Sequence, residues 1–152
     1  MSKKYAELVE RFMLASRQPS RSGWSTRWLR DDINYELFIA RHAPHYQRFT
    51  GRNAVEDYLA ILRVGYQVLE SGPIALIARG SEVVARGNDL ARLKLSEEVV
   101  RVAWTQVFEL EGDLIKRITV AIHRWTTIPI NERVIVKSYL IGDDAPAASM
   151  TI

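Results

Sequence analysis

The chain has 152 residues, 47% hydrophobic and 26% charged, the length and make-up of one globular domain able to bury a core. Lys and Arg exceed Asp and Glu by only 21 − 18 = 3, and they are scattered along the chain, so a nucleic-acid-binding surface is not expected. The lack of cysteine excludes disulfides and thiolate metal sites, and no apolar run is long enough to span a membrane, so a soluble cytoplasmic protein is expected.

Tyr5, Leu8, Val9 and Phe12 recur at helical spacing and predict an amphipathic helix over residues 4–17, stopped by Gln18-Pro19-Ser20. A short second helix capped by Ser22 or Ser25 carries Trp24, Trp28 and Leu29. Ile33, Tyr35, Leu37 and Ile39 alternate as a strand, and a short strand fits Tyr46–Phe49 after the turn at Pro44. From Thr50-Gly51-Arg52-Asn53 a long helix follows, with Val55, Tyr58, Leu59, Leu62, Tyr66 and Leu69 on one stripe, ended by Ser71-Gly72-Pro73. Ile74–Arg79 is a strand turning through Gly80-Ser81.

Glu82–Trp125 then reads as three strands, 82–96, 99–111 and 114–125, separated by turns at Ser96-Glu97-Glu98 and at Gly112. Placing those turns sets Asp89 opposite Gln106, Ala91 opposite Trp104 and Leu93 opposite Val102; beyond the second turn, Gln106 faces Ile118 and Trp104 faces Val120. One face is apolar, with Asp89 and Gln106 set into it. The other carries the small, uncharged Ala103, Thr105, Val107, Thr119 and Ala121. Gly87 inside the first of these strands suggests a bulge. Val134–Ile141 adds a further short strand, and the domain is expected to occupy residues 1–142, with a flexible tail over 143–152.

This order argues for an α+β fold: a strongly curved antiparallel sheet wrapped around the N-terminal helices, cone-shaped with an internal pocket. It resembles the nuclear transport factor 2-like superfamily, which includes ketosteroid isomerase and polyketide cyclase-like proteins. The residues that carry the resemblance are Leu29-Arg30-Asp31-Asp32-Ile33-Asn34-Tyr35, Gly51-Arg52-Asn53-Ala54-Val55 and Val107-Phe108-Glu109-Leu110-Glu111-Gly112-Asp113-Leu114-Ile115. The resemblance puts the isomerase's general-base aspartate at Leu37, its tyrosine donor at Phe12 and its second donor at Gln106. Only Gln106 can still donate a hydrogen bond. The related epoxide hydrolases pair an arginine and an aspartate on one strand, as Arg86 and Asp89 do with one residue too many between them. Their last-strand aspartate falls at Val120.

Asp89 is the sharpest candidate for chemistry, because a carboxylate on an apolar face is costly to bury unless it is paired. Either it shuttles a proton in the pocket, or a bulge at Gly87 turns it to solvent or to a structural pair with Arg86 or Arg92. Gln106 joins it as the catalytic hydrogen-bond donor. Phe12, Trp28, Tyr35, Leu37, Tyr58, Arg86, Trp104, Phe108 and Val120 are the expected ligand contacts, although Trp104 and Gln106 fit a packed core as well. His42 and His45 are spaced around Ala43-Pro44, with no third ligand, so no metal site is expected; His123 falls on the opposite face of the sheet.

The first expected function is a cofactor-independent acid/base enzyme, an isomerase, lyase or hydrolase, acting on a small, mostly apolar substrate of cyclic or aromatic type. The alternative is a non-catalytic ligand- or partner-binding module, including a small subunit of a ring-hydroxylating oxygenase. A homodimer through the outer sheet face is expected in either case.

Overall fold

The structure is a computed structural model that describes residues 2–17, 25–40 and 45–129. The expected features at Trp24, His42, Val134–Ile141 and the tail lie outside the described residues. Helix α1 (Ser2–Ser16) buries Tyr5, Leu8, Val9, Phe12 and Met13, the stripe its spacing dictates. A 3-10 turn (Ser25–Trp28) leads into β1 (Leu29–Ile39), which pairs antiparallel with the edge strand β2 (His45–Thr50).

Gly51, at φ 95°, makes the turn into α2 (Arg52–Gly65), a backbone conformation that favours glycine. Its N–H donates to the Ile33 carbonyl at 2.8 Å. The Arg52 guanidinium donates twice to the Leu29 carbonyl, at 2.9 and 3.2 Å, and pairs with Asp31. The Leu29–Tyr35 and Gly51–Val55 motifs therefore clamp the start of α2 onto β1, a structural role.

Two expectations about the middle of the chain need correction. The second helix stops at Gly65 rather than continuing through Tyr66 and Leu69, and β3 (Tyr66–Ser71) follows it directly. The Tyr66–Leu69 stretch fits a strand as well as a helical stripe, and pairing with residues 89–93 gives its backbone a ladder that a longer helix would forgo. Gly87 is also not a bulge: it stays in the ladder of β5 (Glu82–Leu93), opposite Trp104 of β6 (Val99–Glu111). One edge of β5 follows β6 throughout. The other edge meets β4 (Ala75–Arg79) up to Arg86 and β3 from Asp89 onward, so Gly87 marks a change of partner.

The seven strands form one sheet in the order β2-β1-β7-β6-β5-β3, with β4 also on β5. Strand β7 (Leu114–Thr127) pairs with β1 in parallel, so the sheet is mixed and not wholly antiparallel. The expected registers are also displaced. Asp89 faces Val102, Trp104 faces Gly87, and Gln106 lies between Ala85 and Val120. The turn centres near Leu95-Ser96, two residues earlier than expected, with Glu97 at φ 61°. The β5–β6 pairing thus moves by four residues, and β6–β7 moves by two over the stretch from Trp104 to Glu109. Both shifts are even, so each side chain keeps its face. Extra residues at Lys116 and His123 break the β6–β7 ladder twice and accentuate its bend.

The sheet curves over both helices, α1 lying against β4 and β5 and α2 against β1, β2 and β3. Val83, Phe108, Ile118 and Tyr35 align across four strands and fill the space beneath α1, where Phe12 meets Phe108 edge-on at 5.9 Å. No helix among the described residues is long and apolar enough to cross a membrane.

Candidate functional site

Above that packed layer the inner face opens. The next aligned row is Ala85, Gln106, Val120 and Leu37, and the one beyond it is Gly87, Trp104, Ile122 and Ile39. Tyr58, Ile61 and Leu62 of α2, Tyr66 of β3 and Arg17 at the end of α1 close over these rows and leave a cavity of about 310 Å³. A second chamber of about 280 Å³ adjoins it and shares Arg17, Tyr35, Leu62, Tyr66 and Gln106. Mostly apolar walls with a few convergent polar groups are the usual form of a small-molecule site.

Asp89 is the one buried charged residue among the described residues, and its side chain is only 4% exposed. The alternation along β5 aims it inward. Its Oδ2 accepts a hydrogen bond from the Tyr66 hydroxyl at 3.1 Å, and its Oδ1 accepts one from Ser71 at 3.3 Å. Arg17 Nη1 lies 3.5 Å from Oδ1, and the guanidinium sits over the Trp104 ring at 5.7 Å. The carboxylate is thus held in its site by a cation and two hydroxyls, which offset its lost hydration. Gln106 is half-buried, lines both chambers, and its side-chain amide has no partner among the described residues.

Three tyrosines complete the wall, and each is pushed toward its neutral form. Burial raises the Tyr66 hydroxyl well above the ordinary value, and the charge of Asp89 and the hydrogen bond to it add to the shift. Burial pushes Tyr58 up to about 12 and raises Tyr35 strongly, with Tyr58 adding to the latter. All three remain hydroxyl donors near neutral pH. Between the unfolded value of 10 and their raised folded values, the unfolded chain binds fewer protons than the folded one, so stability falls as pH rises. In an alkaline absorbance titration these three are expected to ionise only with unfolding, while exposed Tyr46, raised more modestly by its bond to Glu36, ionises first. Smooth titration of every tyrosine in a folded protein would contradict this burial.

Trp104 depends on Gly87. A Cβ built at Gly87 would lie 2.4 Å from Trp104 Cζ2, so the indole occupies space that any other residue on β5 would fill. The buried indole N–H has no partner among the described residues.

Of the residues expected at the site, Asp89, Gln106, Tyr35, Leu37, Tyr58, Trp104 and Val120 line the main cavity, and Phe12 lines its neighbour. Phe108 is fully buried in the core beneath, against Phe12, and does not reach the cavity. Trp28 packs at the core edge under the Arg27 guanidinium, at 4.3 Å, and takes no part in the lining. Arg86 lies three residues from Asp89 on a regular strand, and therefore projects from the outer face, exposed, beside a groove that includes His123 and Thr105. It cannot form the expected pair with Asp89. The carboxylate's partners are instead Arg17, Tyr66 and Ser71, to which the sequence pattern does not point. Only Tyr66 carried a signal, as an apolar-stripe residue with a hydroxyl.

No family model matches the chain. No curated protein matches it either. Solved structures do. A nuclear transport factor 2-like protein from Burkholderia xenovorans superposes with a TM-score of 0.66 at 18% identity, over 80% of this chain and 91% of that one. A candidate polyketide cyclase from Xanthomonas campestris gives 0.64 at 14% identity, over 88% and 96%. A candidate isomerase from Bacillus subtilis gives 0.63 at 15%, over 82% and 87%. At such identities the likeness is one of fold.

Proposed function

We propose, for a chain with the nuclear transport factor 2-like fold, that it is a small acid/base enzyme acting on a mostly apolar organic substrate in the cavity between helices and sheet. The observation that supports this is the single buried carboxylate among the described residues, Asp89, set in the wall of a mostly apolar chamber beside the unpartnered Gln106 amide. Asp89 would take a proton from the substrate, and Gln106 would donate to the oxygen on which negative charge then develops. The aromatic walls of Trp104 and Tyr58 would hold a cyclic or aromatic substrate flat between them. Isomerisation and elimination begin with such a transfer; in hydrolysis the proton taken would be that of the attacking water. Solved proteins of this fold include a candidate isomerase and a candidate polyketide cyclase, which is compatible with it.

The three donors already on Asp89 favour a second reading, a binding module without turnover, because they satisfy the carboxylate without any substrate. The two readings separate in one experiment. A compound that binds is assayed for both affinity and transformation, in wild type and in Asp89→Asn. Turnover lost at preserved affinity supports the enzyme. A compound held tightly by both proteins and transformed by neither sinks it.

Association through the outer sheet face is part of the same proposal. Thr105 and Ala121 align there with Phe38 and Tyr46, whose exposed rings meet at a tilt with centroids 4.7 Å apart, and Val84, Val107 and Thr119 form the adjoining row with exposed Ile77. The strip is weakly polar between two charged ends, Arg86 opposite Thr105 and Glu36 opposite Thr119, and such a patch is of the kind that marks association sites. Thr105→Arg, which plants a charge in the strip, is expected to convert a dimer to monomer in sedimentation velocity. A wild type that is already monomeric at micromolar concentration rules the interface out.

A further inference from the structure

The two chambers differ in what they offer a ligand, and the difference has a chemical meaning. The larger is walled by Leu37, Ile39, Ile61, Val120, Ile122 and Trp125, with Asp89 and Arg17 at one side. The smaller holds two guanidinium groups, Arg17 and Arg63, with Ser16, Gln67 and Gln106, and no carboxylate among its lining residues. Across both, one carboxylate stands against two guanidiniums, so the site carries one uncompensated positive charge.

That charge belongs to Arg63. Arg17 is engaged with Asp89 and Ser71. Arg63 has no ion pair among the described residues, and its Nη1 is buried with no hydrogen-bond partner. Its position in the last turn of α2 explains why a cation is tolerated there, since helix C-termini attract positive charge. It does not explain a buried N–H aimed at nothing. A guanidinium keeps its charge throughout the physiological range and matches a carboxylate geometrically, so an anion is the group that satisfies it.

We infer that the ligand is a small organic acid with one negative charge. Its apolar body occupies the larger chamber, and its carboxylate, or a singly charged equivalent, meets Arg63 and the free edge of Arg17 in the smaller. This rests on the reading of the cavity as a ligand site and not on any turnover at Asp89. It also gives the ligand a direction, with the acid group toward Arg63 and the distal carbons toward Asp89 and Trp104.

The test compares 4-phenylbutyrate with 4-phenylbutan-1-ol, alike in shape and different in charge, by calorimetry on the full chain. Wild type is expected to bind the acid about 10- to 100-fold more tightly, the range of a hydrogen bond to a charged partner. Arg63→Gln is expected to bring the two to near parity by weakening the acid alone. Equal affinities in wild type, or a preference that survives in Arg63→Gln, overturns the inference. Binding of the alcohol without the acid does so too, while leaving the cavity reading intact. Binding of neither sinks both. A wild-type crystal soaked with the acid gives an answer that does not depend on the variant folding: the carboxylate within hydrogen-bond distance of Arg63 supports the inference, and the reversed orientation overturns it.

Discussion

Turnover in the Asp89→Asn variant is expected to fall by about two to four orders of magnitude, the usual contribution of a positioned acid/base group. The asparagine keeps the shape of the site, so affinity for the substrate changes far less. Its amide oxygen can still accept from Tyr66 or Ser71, but it cannot take a proton and carries no charge. The same change removes the counter-charge of Arg17. Because that guanidinium is 29% exposed and can turn toward water, the loss of stability should be about 1–2 kcal/mol, well below the cost of orphaning a fully buried charge. Tyr66→Phe provides the control. It removes one hydrogen bond from Asp89 while leaving Arg17 and Ser71 in place, and should lower turnover much less. A Tyr66→Phe enzyme as inactive as Asp89→Asn would move the proton-transfer role from the carboxylate to the phenol.

The second large effect concerns stability. Gly87→Ala is expected to cost about 1–3 kcal/mol, the range for forcing extra volume into a packed interior. At the chain's size that lowers the melting temperature by about 2–4 °C per kcal/mol. The neighbour that must yield is the body of the Trp104 indole, 2.4 Å from the new carbon, and not the end of a flexible side chain. The Arg17 guanidinium over the ring limits where it can go. The ring's remaining freedom is into the cavity it lines, so the variant should also bind ligand more weakly. An alanine variant that melts with wild type would show that the sheet opens easily between β5 and β6 at this point.

Much of the molecule is legible in the order of its residues, for reasons that are local. The helical stripe of Tyr5 to Phe12, the alternation of Ile33 to Ile39 and the composition of the three long strands each follow from a burial period a few residues long. Which face Asp89 and Gln106 occupy was also legible, because an even slip in register leaves a side chain on its side of the sheet. Their neighbours were not, because register depends on turn geometry, and the turn closes near Leu95-Ser96, two residues earlier than the pattern suggests, with Glu97 left-handed just after it. Tyr66 follows Leu62 by four and so fits the next position of a helical stripe. Only the unpaired edge of β5, distant in the sequence, could recruit it into a strand. Arg17 carried no signal at all: nothing in the neighbourhood of a helix end tells which buried carboxylate it will meet in the folded chain.

The parallel contact of β1 with β7 has a consequence for how the chain reaches this structure. Strands β5, β6 and β7 are joined by short turns and can zip together locally, whereas Leu37 must find Val120 across most of the domain. The loop entropy of that closure is spent before its contacts reward it, which places such pairing late and slows folding. Until it happens, the edge of β7 that later receives β1 is an open template with Ile118, Val120 and Ile122 beside it, so the nascent chain is most vulnerable to pairing with a neighbour at the strand that ends up in the middle of the sheet.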